Sequence, residues 1–147
     1  PQPYEDARLG FALRPGLGWR LVATPRGVVA VDGVPWDYEA SFQVVVRSYP
    51  TIATYLARHT AAHVREGRIV QQGPIDVRGR RAHWMRVVPL AGEMLEDHVF
   101  LETGDGRVVI VIMEAPTSLR QDFGAWFDAM LGALEVRAIG PPPGADP

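Results

Sequence analysis

Tyr4-Glu5-Asp6-Ala7-Arg8-Leu9-Gly10-Phe11-Ala12-Leu13-Arg14-Pro15-Gly16-Leu17-Gly18-Trp19-Arg20-Leu21 opens the chain and carries the reading of its architecture. Leu9 to Arg14 alternates and reads as a first strand. Pro15, Gly16 and Gly18 break it, because proline lacks an amide donor and glycine turns freely. Trp19 to Ala23 reads as a second strand, ending at Thr24-Pro25-Arg26-Gly27. The stretch predicts a strand–turn–strand unit that builds one edge of a sheet, with Trp19 as packing.

Working outward, strands follow at Val28–Val31, closed by the turn signal Asp32-Gly33, and at Ala40–Tyr49, where Val44, Val45 and Val46 carry high β-propensity. Val34-Pro35-Trp36-Asp37 reads as a loop, since proline does not suit a central strand. Thr51 is placed to cap a first helix from Ile52 to Glu66, stopped by Gly67. Four strands come next, at Arg68–Val77, Arg81–Pro89, Met94–Glu102 and Arg107–Glu114, joined by turns at Gly79, Ala91-Gly92 and Thr103-Gly104-Asp105-Gly106. A second helix is predicted from Ser118, paired with Gln121 in a capping-box pattern. Leu119, Phe123, Trp126, Phe127, Met130, Leu131 and Leu134 recur at helical spacing along it, one apolar stripe for docking on a sheet. Short hairpin connections force antiparallel neighbours. The expectation is an α+β domain, an antiparallel sheet of six to eight strands flanked by two main helices, over residues 9–136. Residues 1–8 form a polar lead-in and 137–147 a Pro/Gly-rich tail.

Composition excludes several classes. At 147 residues the chain fits one domain with a real core. A net charge of −2 gives no global attraction to nucleic acid or anionic lipid. With no cysteine, thiolate metal sites, disulfides and cysteine nucleophiles are out. All 15 basic side chains are arginine, which reads as codon bias of a GC-rich bacterial genome and excludes Schiff-base and P-loop lysines. No apolar run approaches the ~18–20 residues of a membrane-spanning helix. The chain begins at Pro1 rather than Met, which leaves room for an upstream leader or lipid anchor.

The element order and the Tyr4-x-Asp6…Gly10-Phe11…Pro15-x-x-Gly18-Trp19 opening resemble the PsbP/Mog1-like superfamily, which includes bacterial DcrB-like and PsbP-like lipoprotein relatives. Phe123 and Trp126-Phe127 resemble the aromatic stripe that ends those domains. The resemblance covers Tyr4 to Val136. It implies an α/β/α sandwich and a protein that is not an enzyme: relatives act as assembly factors, photosystem subunits, GTPase regulators, chaperones or envelope lipoproteins. It also makes the bacterial cell envelope the expected location, ahead of the cytoplasm. A long terminal helix over a sheet is similar to the helix-grip carriers as well, with a hydrophobic pocket beneath it lined by Phe123, Trp126 and Phe127. About four strands precede the first helix here, which departs from that pattern.

Four groups stand out as candidate sites. Trp36 and Tyr38 beside Pro35 offer large aromatics in a loop, a composition enriched at interface hot spots, although the same residues can lid a core. Arg78, Arg80 and Arg81 around a turn suit a phosphate or an acidic partner. His59, His63 and Glu66 fall on one face of the first helix at metal-ligand spacing, but His-Thr-Ala-Ala-His lacks the glutamate of the zinc-protease motif. His83 and His98 become diagonal neighbours if Ala91-Gly92 sets the register. Arg86–Asp97 and Glu102–Arg107 then read as exposed cross-strand ion pairs, each worth about 0–1 kcal/mol. The three serines sit in no nucleophile elbow, and no paired carboxylates can be placed. The reading is a binding or assembly module with a protein partner, no nucleic acid and no cofactor.

Overall fold

Seven strands form one antiparallel sheet in the order β3-β4-β5-β9-β8-β7-β6: β3 Trp19–Thr24, β4 Gly27–Val34, β5 Asp37–Arg47, β9 Val108–Pro116, β8 Met94–Glu102, β7 Arg80–Val87 and β6 Ile69–Val77. The structure is a computed structural model, described for residues 3–61, 64, 66, 68–89 and 93–139. Two consecutive hairpin runs meet at β5 and β9, the central pair. There Val108 to Val111 are all buried, because both faces of a central strand are covered. β6 lies at an edge and carries Gly73 and Pro74 within the strand, residues that an edge tolerates.

Each face has its own cover. Helix α2, Gly124–Ala133, buries Phe127 and Met130 against Phe42, Val44, Val99, Leu101 and Val111. Helix α1, Ile52–His59, lays Ile52, Tyr55 and Leu56 on Met85, Phe100 and Ile110. At roughly 1.5–3 kcal/mol for each large apolar side chain buried, these two layers supply the drive for a chain of this size. The sandwich is therefore α+β, as the element order suggests.

The opening stretch departs from expectation. Phe11-Ala12-Leu13, β2, does not pair with the Trp19 strand. It is the middle strand of a separate three-stranded sheet, between β1 Tyr4–Asp6 and β10 Glu135–Val136, and all three of its residues are buried. The lead-in thus holds a strand of its own. Pro15 and Gly16 carry the chain away from β2, and Gly16 lies so close to two indole rings that a Cβ there would stand 2.6 Å from Trp19 and 2.8 Å from Trp126.

Three further expectations are corrected. The β4–β5 turn is Pro35-Trp36, not Asp32-Gly33: Val34 faces Asp37, and Gly33 sits in the strand at a bulge with φ +116°. Ser118 does not cap α2. It lies in a short 3-10 turn, Thr117–Leu119, and the helix starts six residues later with Phe123 as an uncapped first position. The first helix ends at His59, followed at Thr60 by a hydroxyl that bonds back to Leu56 O (2.6 Å) and competes with the helical ladder. Thr51 does cap α1, in a reciprocal box with Thr54. Ala91, Gly92 and the tail from 140 lie outside the described residues.

Arg107 ties the two sheets together. It is not paired with Glu102, which instead accepts from Ile52 N at the start of α1 (2.8 Å). Its buried guanidinium donates to Asp105 (2.8 Å), Leu9 O (2.6 Å) and Arg137 O (2.8 Å), joining the β8–β9 turn to both ends of the domain. Gly10, at φ +78°, makes room: a Cβ there would stand 2.3 Å from Arg107 Nη1. The guanidinium holds the Asp105 carboxyl far below the usual carboxylate range. Removing it strands buried carbonyls, so Arg107→Met is expected to cost about 3–5 kcal/mol in urea unfolding. A loss below about 1 kcal/mol contradicts this role.

Candidate functional site

The tight β4–β5 turn projects Trp36 into solvent at 84% exposure, with Tyr38 beside it at 42%. Trp36 therefore does not lid the core. Trp19 starts β3 opposite Asp32, so the same end of the sheet carries Leu17, 76% exposed. Trp19 in turn holds Trp126, partly exposed on α2, at a ring separation of 6.3 Å. At α2, where a carrier needs its pocket, the expected lining residues pack on Trp19, whose ring meets Phe123 edge-on at 6.2 Å and Phe127 at 6.1 Å, while an open groove of about 360 Å³ runs between Asp128 and Leu131 of the helix and Trp84, Val99 and Met113 of the sheet.

The three tip arginines do not converge. Arg78 takes the left-handed conformation (φ 51°) in the β6–β7 turn, where Asp76 accepts from Gly79 N (2.7 Å), and its guanidinium donates to Leu134 O (3.3 Å). Arg80 donates to Glu102 O (3.1 Å), while Arg81 pairs in register with Asp76 and, by strand alternation, points to the other face. Arg78 and Arg80 line a groove of about 330 Å³ with Arg137, where Glu135 also stands and pairs with Arg137.

On the first helix, His59 Nε2 bonds the Tyr49 hydroxyl (2.6 Å) and its ring stacks on Tyr55 at 4.5 Å. Burial lowers its pKa, and the charges of Arg47, Arg58 and Arg26 lower it further, which favours the neutral imidazole. Glu66 pairs with Arg68 (2.6 Å), and His63 lies outside the described residues. Among the described residues no three potential ligands are grouped for a metal ion.

The sheet histidines have the register expected of them: His83 faces Phe100, Met85 faces His98 and Arg86 faces Asp97. Both rings flank Phe100, at 6.1 and 6.2 Å, but each has its own partner, Gln72 for His83 (3.0 Å) and Glu96 for His98 (2.9 Å). Sequence reasoning missed what Glu96 faces. Across β8–β9 it stands opposite Glu114, itself opposite Ser41 on β5. Burial, then a hydrogen bond with Glu96 and the Glu96 charge, push Glu114 up to about 7. Glu96 also bonds His98 Nε2 (2.9 Å), so the two carboxylates and the imidazole form one network. A signal was available, since each of these residues faces the helix α1 side of an alternating strand.

Asp97 is the second correction to the ion-pair reading. It is buried, not exposed, and accepts from Arg86 Nε (2.8 Å), Arg120 Nε (2.9 Å) and Trp84 Nε1 (3.2 Å). Burial raises its pKa, but the bonds from Arg86 and Arg120 outweigh that and hold the carboxyl below its ordinary value. Arg120 arrives from the segment that precedes α2, and its guanidinium lies 4.9 Å from the Phe127 ring. The cluster fastens that segment to β7 and β8.

No family model and no curated protein matches the chain. Among solved structures it is similar to cyanobacterial PsbP (CyanoP) from Synechocystis sp. PCC 6803, with a TM-score of 0.65 and 16% identity over 92% of this chain and 91% of that one. The chain has the PsbP-like fold. This PsbP-like domain is also similar to a protein of unknown function, PA94, from Pseudomonas aeruginosa (TM-score 0.53, 14% identity, covering 82% of this chain and 98% of that one). A Bacteroides thetaiotaomicron protein matches with TM-score 0.57 and 10% identity over 87% of this chain, which spans 45% of that longer one.

Two outcomes are expected. Asp97→Ala leaves Arg86 and Arg120 without their buried carboxylate and should cost about 3–5 kcal/mol, read by urea unfolding. A cost under about 1 kcal/mol would class the cluster with exposed pairs. Glu114 has a folded pKa above its unfolded value, so its contribution is full in acid and lost as pH rises through about 7. Between pH 5 and pH 8 the wild type should therefore lose roughly 1–2 kcal/mol that Glu114→Gln keeps. Parallel stability profiles for the two proteins would contradict the raised pKa of Glu114.

Proposed function

We propose that this PsbP-like domain is a non-catalytic binding or assembly module that docks a protein partner through the Trp36–Tyr38 end of its sheet. The observation that carries the reading is the exposure of Trp36 at the tip of a two-residue turn. A tryptophan held out on a rigid hairpin pays little ordering entropy when it enters a partner's pocket, and such residues dominate interface energies. Leu17, Tyr38 and Trp126 add apolar surface at or beside that end. Several groups with catalytic chemistry have structural employment: Asp97 and Arg107 hold segments of the fold, and His59 is committed to Tyr49. The fold by itself hosts many functions.

The test is affinity isolation from the native cell with wild type, Trp36→Ala and, as control, Val70→Ala, an exposed apolar residue on edge strand β6. A hot-spot tryptophan is worth at least about 2 kcal/mol, so Trp36→Ala should weaken a saturable partner by about 30-fold. The Val70 variant should bind as wild type. Retention of the same partners by Trp36→Ala refutes the surface.

A further inference from the structure

At the end of the sheet opposite Trp36, a cavity of about 370 Å³ lies between the N-terminal segment, the β3–β4 turn and the end of β5. Arg8, Arg26 and Arg47 line it, with Ser48 and Tyr49. These residues are scattered in sequence, and backbone contacts assemble them. Val46 N donates to Arg26 O (2.8 Å), and Gly27 packs so closely on β5 that a Cβ would sit 1.7 Å from Val44 O. Arg8 Nη2 donates to Pro25 O (2.9 Å), which fixes the third arginine across the turn.

Asp6 accepts from Leu9 N (2.8 Å) beside the cavity, but among the described residues no carboxylate lines it and none of Arg8, Arg26, Arg47 and Arg58 forms an ion pair. The arginine groove at Arg78 and Arg137 differs, because Glu135 lines it and Glu5 and Glu135 pair with Arg137. The same charges reach a neighbouring side chain. His59 lies next to the cavity through Tyr49, and after burial the largest causes of its lowered pKa are the charges of Arg47, Arg58 and Arg26. In a chain of net charge −2, a concave surface with three guanidinium groups that have no acidic partner among the described residues is a local concentration of positive charge. Guanidinium forks match tetrahedral oxyanions with paired N–H donors, and the volume exceeds what a bare phosphate ion fills.

We propose that this cavity binds a phosphate group carried on a small molecule, with Arg26 and Arg47 as the main anion contacts and Arg8 closing the third side. Inorganic pyrophosphate is the probe, titrated calorimetrically at low salt into wild type, Arg26→Gln, Arg47→Gln and the control Arg80→Gln. The arginines are exposed or half-buried surface groups, and melting curves check that each variant is folded. Saturable one-to-one binding is expected, weakened about 10-fold by either Arg26→Gln or Arg47→Gln, in line with losing a charge-assisted contact, and unchanged by Arg80→Gln. The His59 ring resonances should move in the same titration. Absence of saturable binding, or equal weakening by Arg80→Gln, overturns the proposal in favour of diffuse attraction. A second arm floats the protein with phosphatidylglycerol and with phosphatidylcholine vesicles. Flotation on the anionic vesicles alone, abolished by Arg47→Gln and without pyrophosphate binding, overturns it in favour of a lipid surface.

Discussion

One buried guanidinium holds the two ends of this domain on its sheet. β1, β2 and β10 are strands of three, three and two residues, too short to be stable as an independent sheet. Arg107 reaches them from the start of β9 and satisfies the carbonyls of Leu9, Gly10 and Arg137 at once, while Asp105 balances its charge. Phe11 and Leu13 can then stay buried against the α2-side core. The cost of burying the charge is offset because every direction of the guanidinium fork meets an acceptor.

Helices pack on both faces of the sheet, and its connections gather at the ends. A sheet built from hairpins sends its connections alternately to two rims, and loops at a rim are free to carry recognition. One rim is apolar and aromatic, with Trp36, Tyr38 and Leu17. The other is rich in arginine: Arg8, Arg26 and Arg47 around the basic cavity, then Arg78, Arg80 and Arg137 along the far strands. Between them, the polar groups that reach the faces are used to lock strands and helices, as Asp97 does with Arg86 and Arg120.

What could be read in the chain follows from range. The register of β7 on β8 depends on one short connection and was legible down to His83 opposite Phe100. The partner of Phe11-Ala12-Leu13 is Glu135-Val136 at the other end of the domain, and no local pattern encodes that pairing. Ser118 and Gln121 form a good capping pattern, yet Arg120 between them is drawn to Asp97 and the helix begins only at Gly124. Tertiary bonding overrode propensity there. The aromatic loop was visible as composition, but its exposure depended on a turn at Pro35-Trp36 rather than at Asp32-Gly33. The basic cavity left no trace in sequence, because its three arginines belong to three separate segments.

We propose that recognition resides on the aromatic rim and not on the packed faces. Amide hydrogen exchange of the complex with its native partner, with the free domain as reference, is the decisive measurement. New protection is expected to be confined to residues 34–39 and the neighbouring turn at 16–18. Protection spread over β6 or the exposed face of α2, with residues 34–39 unchanged, would contradict it.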